Sequence, residues 1–300
     1  MAAKTNVTTS ALFTTSAREV DFVSRFADNW DALRNIMGIM RPIRKAPGTK
    51  LVSYKASVDG DLKGGTVAEG DEIPFTKMKV EPVAYGDIDI SKYAKSVTIE
   101  SVAKYGADVA VEKTDEAFLV ALQNKVLTDF YTFLGTGTLK VTEKTWQRAL
   151  AMAKGKVLDK FAGLDKDVTE VVGFANIIDA YDYLGDKEIT VQTMFGINYV
   201  ENFMGYRTLF LLPEKYIASK KVIALPVENI DLYYVDPSDS DFAKLGLNYT
   251  VKGETNLIGV HVDGDYSRAT GDMYAIMGMK LWAEYLDGIA VATVSVAGAG

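Results

Sequence analysis

Apolar residues at Val20, Val23, Phe26, Trp30, Leu33 and Ile36 recur at three- and four-residue steps, which predicts one face of an amphipathic helix of roughly four to five turns. Pro42 and Pro47 bias the residues before them towards extended geometry and end any helix there. Strict alternation follows. Val52, Tyr54, Ala56 and Val58 alternate with Leu51, Ser53, Lys55 and Ser57, and Met78 and Val80 alternate with Lys77 and Lys79, so two strands are expected. Between them Gly60, Gly64, Gly65 and Gly70 relax the backbone, while Asp59, Asp61, Lys63, Glu69, Asp71 and Glu72 offer no apolar face to a core. The pattern predicts a long two-stranded finger over residues 49–85.

Ile88 and Ile90 alternate with Asp87 and Asp89, a strand leading away from the finger, and residues 96–105 read as a short helix stopped at Gly106. The longest helical stripe is Val111, Phe118, Leu119, Leu122, Val126, Phe130, Phe133 and Leu134. Continuous over 111–134, it would be about 36 Å long; Gly135 and Gly137 terminate it. Thr142 is the expected N-cap of the next helix, whose stripe is Trp146, Leu150, Ala153, Val157 and Phe161. Residues 170–174 read as a buried strand and 175–184 as a helix. Strands are expected at 206–212, 221–225, 231–235 and 257–262, and the tail 273–296 ends in a strong strand, Ile289 to Val296. Helices and strands are interspersed without regular alternation, which favours an α+β fold, and no internal repeat is visible.

Composition narrows the class. With 300 residues, 48% of them apolar, the chain has length enough to bury a core. No run of about 18 apolar residues predicts a transmembrane helix, and the first ten residues lack the apolar core of a secretory signal. The absence of cysteine excludes disulfides and thiolate chemistry. A net charge of −7 opposes tight, sequence-independent binding of nucleic acid over the whole surface. One window departs from that balance: residues 35–58 hold no acid but contain Arg41, Arg44, Lys45, Lys50 and Lys55, either a solvated basic segment or a contact for a polyanion or an acidic neighbouring surface.

Candidate chemistry is sparse. His261 is the only histidine, which excludes a multi-histidine metal site, and its place between Val260 and Val262 in a strand reads as structural. The run from Gly135 to Lys140 imitates a phosphate loop but follows a helix and lacks the Gly-Lys-Ser/Thr ending. Asp236, Asp239, Asp241, Asp263 and Asp265 cluster in turn-like segments without the glycine and glutamate of a calcium loop. No pair of carboxylates is singled out for acid–base work. No catalytic residue, metal ligand or cofactor is therefore nominated.

An isolated two-stranded hairpin is barely stable in water, so the finger needs a neighbour, and so does the polar N-terminal arm. Two projecting elements on a compact body suit a subunit overlapped by copies of itself. In that order of elements the chain resembles the major capsid proteins of tailed bacteriophages, with the Hong Kong 97-type fold. The stretch SVTIESVAKYGADVAVEKTDEAFLVALQNKVLTDFYTFLGTG (residues 96–137) is similar to their spine-helix region, and EYLDGIAVATV (residues 284–294) to their closing strand.

The resemblance implies an N-terminal arm with its helix over 1–48, an extended loop over 49–85, a peripheral domain with the spine helix over 86–144, an axial domain over 145–268, and C-terminal strands returning to the peripheral domain over 269–300. It implies pentamers and hexamers closing into an icosahedral shell around double-stranded DNA that is contacted only weakly. A portal and a separate scaffolding protein would be partners, no membrane would be involved, and assembly would take place in the bacterial host cytoplasm. Intersubunit contacts are expected at Asp59, Asp61, Lys63, Glu69, Asp71, Lys77 and Lys79 of the loop, and at Phe26, Trp30, Arg41, Arg44 and Lys45 of the arm and basic segment. Lys63, Lys77 and Lys79 are also the lysines available for the covalent crosslinking some members perform, although lysine is what an exposed hairpin carries anyway. Alternatives are an encapsulin-like nanocompartment shell, a tail-tube subunit and a carboxylate-dependent hydrolase.

Overall fold

The computed structural model describes residues 17–185, 191–194, 197–251 and 257–295; the polar arm up to residue 16 lies outside them. The chain opens with α1 (Ala17–Met37), which buries Phe22, Val23, Phe26, Trp30 and Leu33. Val20, expected on that face, is exposed. The buried Glu19 receives hydrogen bonds from Thr250 Oγ1 and the Val262 amide, and this rotates the next position outward while Phe22 turns in.

A strand the sequence did not announce follows: β1 (Met40–Lys45) runs parallel to β11 (Ile230–Val235). Pro42 is tolerated because β1 is the last strand of its sheet, where a missing N–H need not cost a ladder bond. β2 (Leu51–Val58) and β3 (Met78–Gly86) pair only with each other, antiparallel. β4 (Ile90–Thr98) runs directly into α2 (Ile99–Tyr105), later than the predicted helix start at 96, because residues up to Thr98 are held by β13 (Thr270–Ala283). Thr98 caps α2, and Gly106 ends it at φ 80°, a left-handed conformation that suits glycine. One π turn, Asp108–Glu112, then feeds α3 (Lys113–Leu134), so the long helix begins with a wide turn instead of running uniformly from 111.

In the second half β5 (Leu139–Glu143) precedes α4 (Trp146–Ala162). The cap is Thr145, whose side chain accepts from the Arg148 amide; Thr142, the expected cap, is occupied in β5. All five residues of the predicted α4 stripe are buried. After β6 (Val171–Asn176) and α5 (Ile177–Leu184) come β7 (Gln192–Met194), β8 (Ile197–Glu201), β9 (Thr208–Leu212) and β10 (Lys221–Pro226). β11, the one-turn α6 (Ser240–Ala243), β12 (Ile258–Asp265), β13 and β14 (Ala290–Val294) complete the chain.

Among the described residues the strands form three sheets: β1-β11-β13-β12 with β4 also on β13, then β5-β14-β10-β6-β9-β8-β7, and the isolated pair β2-β3. α1 and α3 cover one face of the first sheet, and their core continues onto one face of the second through Phe174, Phe210 and Leu225. The opposite face of the second sheet packs on α4 through Val171, Leu209, Val222 and Ala292. β6 is therefore buried at every residue.

These pairings run across the boundaries drawn from the sequence. β11 and β12, assigned to an axial region over 145–268, belong to the sheet of β4 and β13; β5 and β14, assigned to the peripheral region, belong to the sheet of β6 and β10. Strand partners far apart in sequence leave no trace in the local pattern that predicted the boundaries. The tail likewise splits into two strands in different sheets, separated by a 3-10 turn at Leu286–Gly288.

Candidate assembly surfaces

The hairpin is anchored only at its base. Leu51 is buried, and the Tyr85 ring lies 4.0 Å from that of Trp282 on β13. Beyond it both faces meet solvent: Tyr54, Met78 and Val80 are exposed along the strands, and Leu62, Ile73 and Phe75 are exposed at the tip, Phe75 to 92%. Monomeric proteins rarely leave such an apolar series open, and where they do it marks a contact surface.

The tip has internal order. The Lys63 amide donates to Thr76 Oγ1 at 3.0 Å, the Thr76 hydroxyl donates back to the Lys63 carbonyl at 3.3 Å, and the Asp59 amide donates to the Lys77 carbonyl at 2.8 Å. Gly64 and Gly65 follow one another at φ 105° and 97°, which side chains with a Cβ rarely adopt, so the chain doubles back there at little cost.

Of the expected loop contacts, Lys77 pairs with Asp59 at 2.6 Å and Lys79 with Glu81 at 2.5 Å; Asp61, Glu69 and Asp71 are exposed. Phe26 and Trp30 do not belong to any outward surface. They are buried between α1 and the rest of the core, because the stripe that predicted the helix is the stripe the core needs.

The basic window is acid-free only along the chain. In the fold Arg41 donates to Asp231 at 2.8 Å, and Arg44 lies 3.1 Å from Asp236 and 3.9 Å from Asp239, carboxylates supplied by β11 and the turn after it. The hydrogen bond to Asp231 raises the Arg41 pKa further above its ordinary value despite some burial. Lys45 sits over the Tyr233 ring, 5.2 Å from its centre.

Sequence reasoning missed the network that fixes the start of α1. Asp115, at the head of α3, is buried and binds both Arg18 of α1 and Lys95 of β4. Burial pushes the Asp115 carboxyl up, but the hydrogen bonds from Arg18 and Lys95 outweigh it and hold the group below the usual carboxylate range. The lysine fares differently: burial lowers the Lys95 pKa more than its bond to Asp115 restores it. A signal existed, since Asp115 stands four residues from both Val111 and Leu119 of the apolar stripe.

The remaining motifs are structural. A Cβ at Gly137 would come within 2.6 Å of Ile289, so this glycine serves the close approach of the α3–β5 turn to the residue that leads into β14. Asp239 caps α6, Asp236 closes its own turn through Ser238, and His261 lies 3.8 Å from Glu19. Among the described residues no cluster of His, Asp or Glu could hold a metal ion, and no helix is long and apolar enough to cross a membrane.

No family model matches the chain, and no curated protein matches it in sequence. Solved structures do match its fold. The capsid structure of cyanophage P-SCSP1u aligns with a TM-score of 0.57 and 6% identity over 86% of each chain. A structure from Mycobacterium phage Patience aligns at 0.56 and 11% identity, over 97% of this chain and 91% of that one. The SrpI encapsulin of Synechococcus elongatus PCC 7942 aligns at 0.51 and 12% identity over 88% of each. The chain has the Hong Kong 97-type capsid fold.

Proposed function

We propose that the protein is the major capsid protein of a tailed bacteriophage, assembling as pentamers and hexamers into an icosahedral head around double-stranded DNA. The observation that carries this reading is a capsid fold whose hairpin displays Leu62, Ile73 and Phe75 to solvent with no partner strand beyond its own pair among the described residues. A surface of that kind, repeated on every subunit, gives each copy a contact to offer its neighbour. Many such overlaps act together, so each single one stays reversible while a shell forms. The role is structural, not enzymatic. Residues 49–85 act as the intersubunit loop; the sheet of β4 and β13 with α3 forms the peripheral part, and the sheet of β6 and β10 the part around the symmetry axes. A portal and a scaffolding protein are partners in this reading. The net charge of −7 suits a shell that contacts its DNA weakly, since a lining that gripped phosphates would oppose packing. The site of action is the virion, after assembly in the bacterial cytoplasm.

The encapsulin match supports a second reading, a shell around a protein cargo. Negative-stain electron microscopy of the purified chain at neutral pH and rising concentration tests what the two share. Closed isometric shells or five- and six-fold rings are expected; a small particle of one size at every concentration would refute both. DNA and a portal in native particles would then favour the phage head, and an enclosed protein the nanocompartment.

A further inference from the structure

A helix with apolar residues three positions apart normally buries them, yet α2 buries none of its residues among those described. Its Ile99 and Val102, with Val97 near the end of β4 and Val111 in the π turn, line an apolar cleft of about 400 Å³. Arg18, the second residue of α1, and Tyr266, in the turn between β12 and β13, complete the wall. The Arg18 guanidinium is held by Asp115, which leaves its methylene stem for the cleft. A cleft of this size and lining takes bulky apolar groups.

The sequence before Ala17 supplies such groups at one place. Residues 1–16 carry no acid and a single base, Lys4, and consist mostly of Thr, Ser and Ala. Within them Leu12 and Phe13 are the only two bulky apolar residues that stand side by side, with small and polar residues before and after. Phe13 precedes Arg18 by five residues, a reach of up to roughly 17 Å of extended chain from a residue that already lines the cleft. Tethered so closely, the pair meets its own cleft at an effective concentration on the order of mM, far above that of a second copy in dilute solution. We infer that Leu12 and Phe13 are seated in the cleft of their own chain, against Ile99, Val102 and Val111. The neighbour that the arm needs is then its own subunit, and the apolar side of α2 gains its cover from the same contact. The inference does not depend on the shell reading.

The absence of cysteine makes the test direct, because introduced thiols are the only ones in the chain. In dilute, unassembled protein, T14C/I99C and, separately, T14C/Y266C treated with a short bis-maleimide are expected to give an internally linked chain of monomer mass; each single variant gives none. Ile99 is 60% exposed and Tyr266 99%, so both changes should leave the circular dichroism of wild type, and either pair suffices if the other disturbs the fold. The thiol of I99C should react with a maleimide dye at least fivefold more slowly than the same thiol in L12S/F13S/I99C, at a rate independent of protein concentration. Failure of both pairs to link internally, or equal labelling with and without Leu12 and Phe13, overturns the inference. So does protection that appears only as protein concentration rises, or linked dimers in place of linked monomers, since the cleft then receives a second copy.

Discussion

The hairpin β2–β3 and the sheet built around β6 use the same residue types to opposite ends. Phe174 in β6 is fully buried, with the rings of Phe130, Tyr131 and Phe210 around it, whereas Phe75 at the hairpin tip is almost wholly exposed. Every residue of β6 lies between two cores; past Leu51, β2 and β3 lie in none. The difference separates two kinds of apolar residue. One kind holds the fold together, and the other lies outside every core of its own chain.

The largest effect expected from this division is on assembly. Deleting residues 59–71 should abolish closed shells in electron micrographs while the subunit melts within about 2 °C of wild type, since almost no buried area is lost. Normal particles from that variant would remove the hairpin from the assembly scheme. Next in size, Phe174→Ala should cost about 3–5 kcal/mol in urea unfolding, and Phe75→Ala no more than about 0.5 kcal/mol. Equal costs would erase the distinction between the two regions.

Asp115→Ala removes the carboxylate between Arg18 and Lys95 and should destabilise by about 3 kcal/mol, read from the same titrations. Because the folded pKa of Asp115 lies below its unfolded value, its contribution is present at neutral pH. It is lost only as pH falls below about 4, through the ordinary carboxylate value and on to the depressed folded one. Asp115→Asn should flatten that acid limb of the melting-temperature profile. Thr145→Ala should cost less than Asp115→Ala, about 1 kcal/mol, through the lost cap of α4.

Local periodicity made much of this molecule readable. The α4 stripe is buried as its spacing predicts, and the alternation of residues 51–58 and 78–80 marks the two strands that pair. Where a single side chain has a distant partner, the pattern misleads. Val20 has the right spacing, yet Glu19 turns it to solvent by bonding to Thr250 and Val262, more than two hundred residues away. β1 is hidden because Pro42 argues against a strand and its partner, β11, lies 190 residues further on. The charge of Arg41 and Arg44 looked unopposed for the same reason. The candidate surface is half legible: a finger without a core shows in the sequence, but the carboxylates that meet Arg41 and Arg44 come from β11 and the turn after it and lie beside them only once the sheet has formed.

The position of β14 sets a timetable for the chain as it leaves the ribosome. β14 lies between β5 and β10, parallel to one and antiparallel to the other, so the sheet around β6 stays split until residues 290–294 have emerged. A nascent chain short of that point presents two open strand edges and a half-covered α4, a state prone to pairing with the wrong partner. The hairpin is synthesised long before. Its exposed tip is thus displayed on unfinished subunits, and the interval between making residue 75 and placing residue 290 is when translation rate and chaperone access matter most.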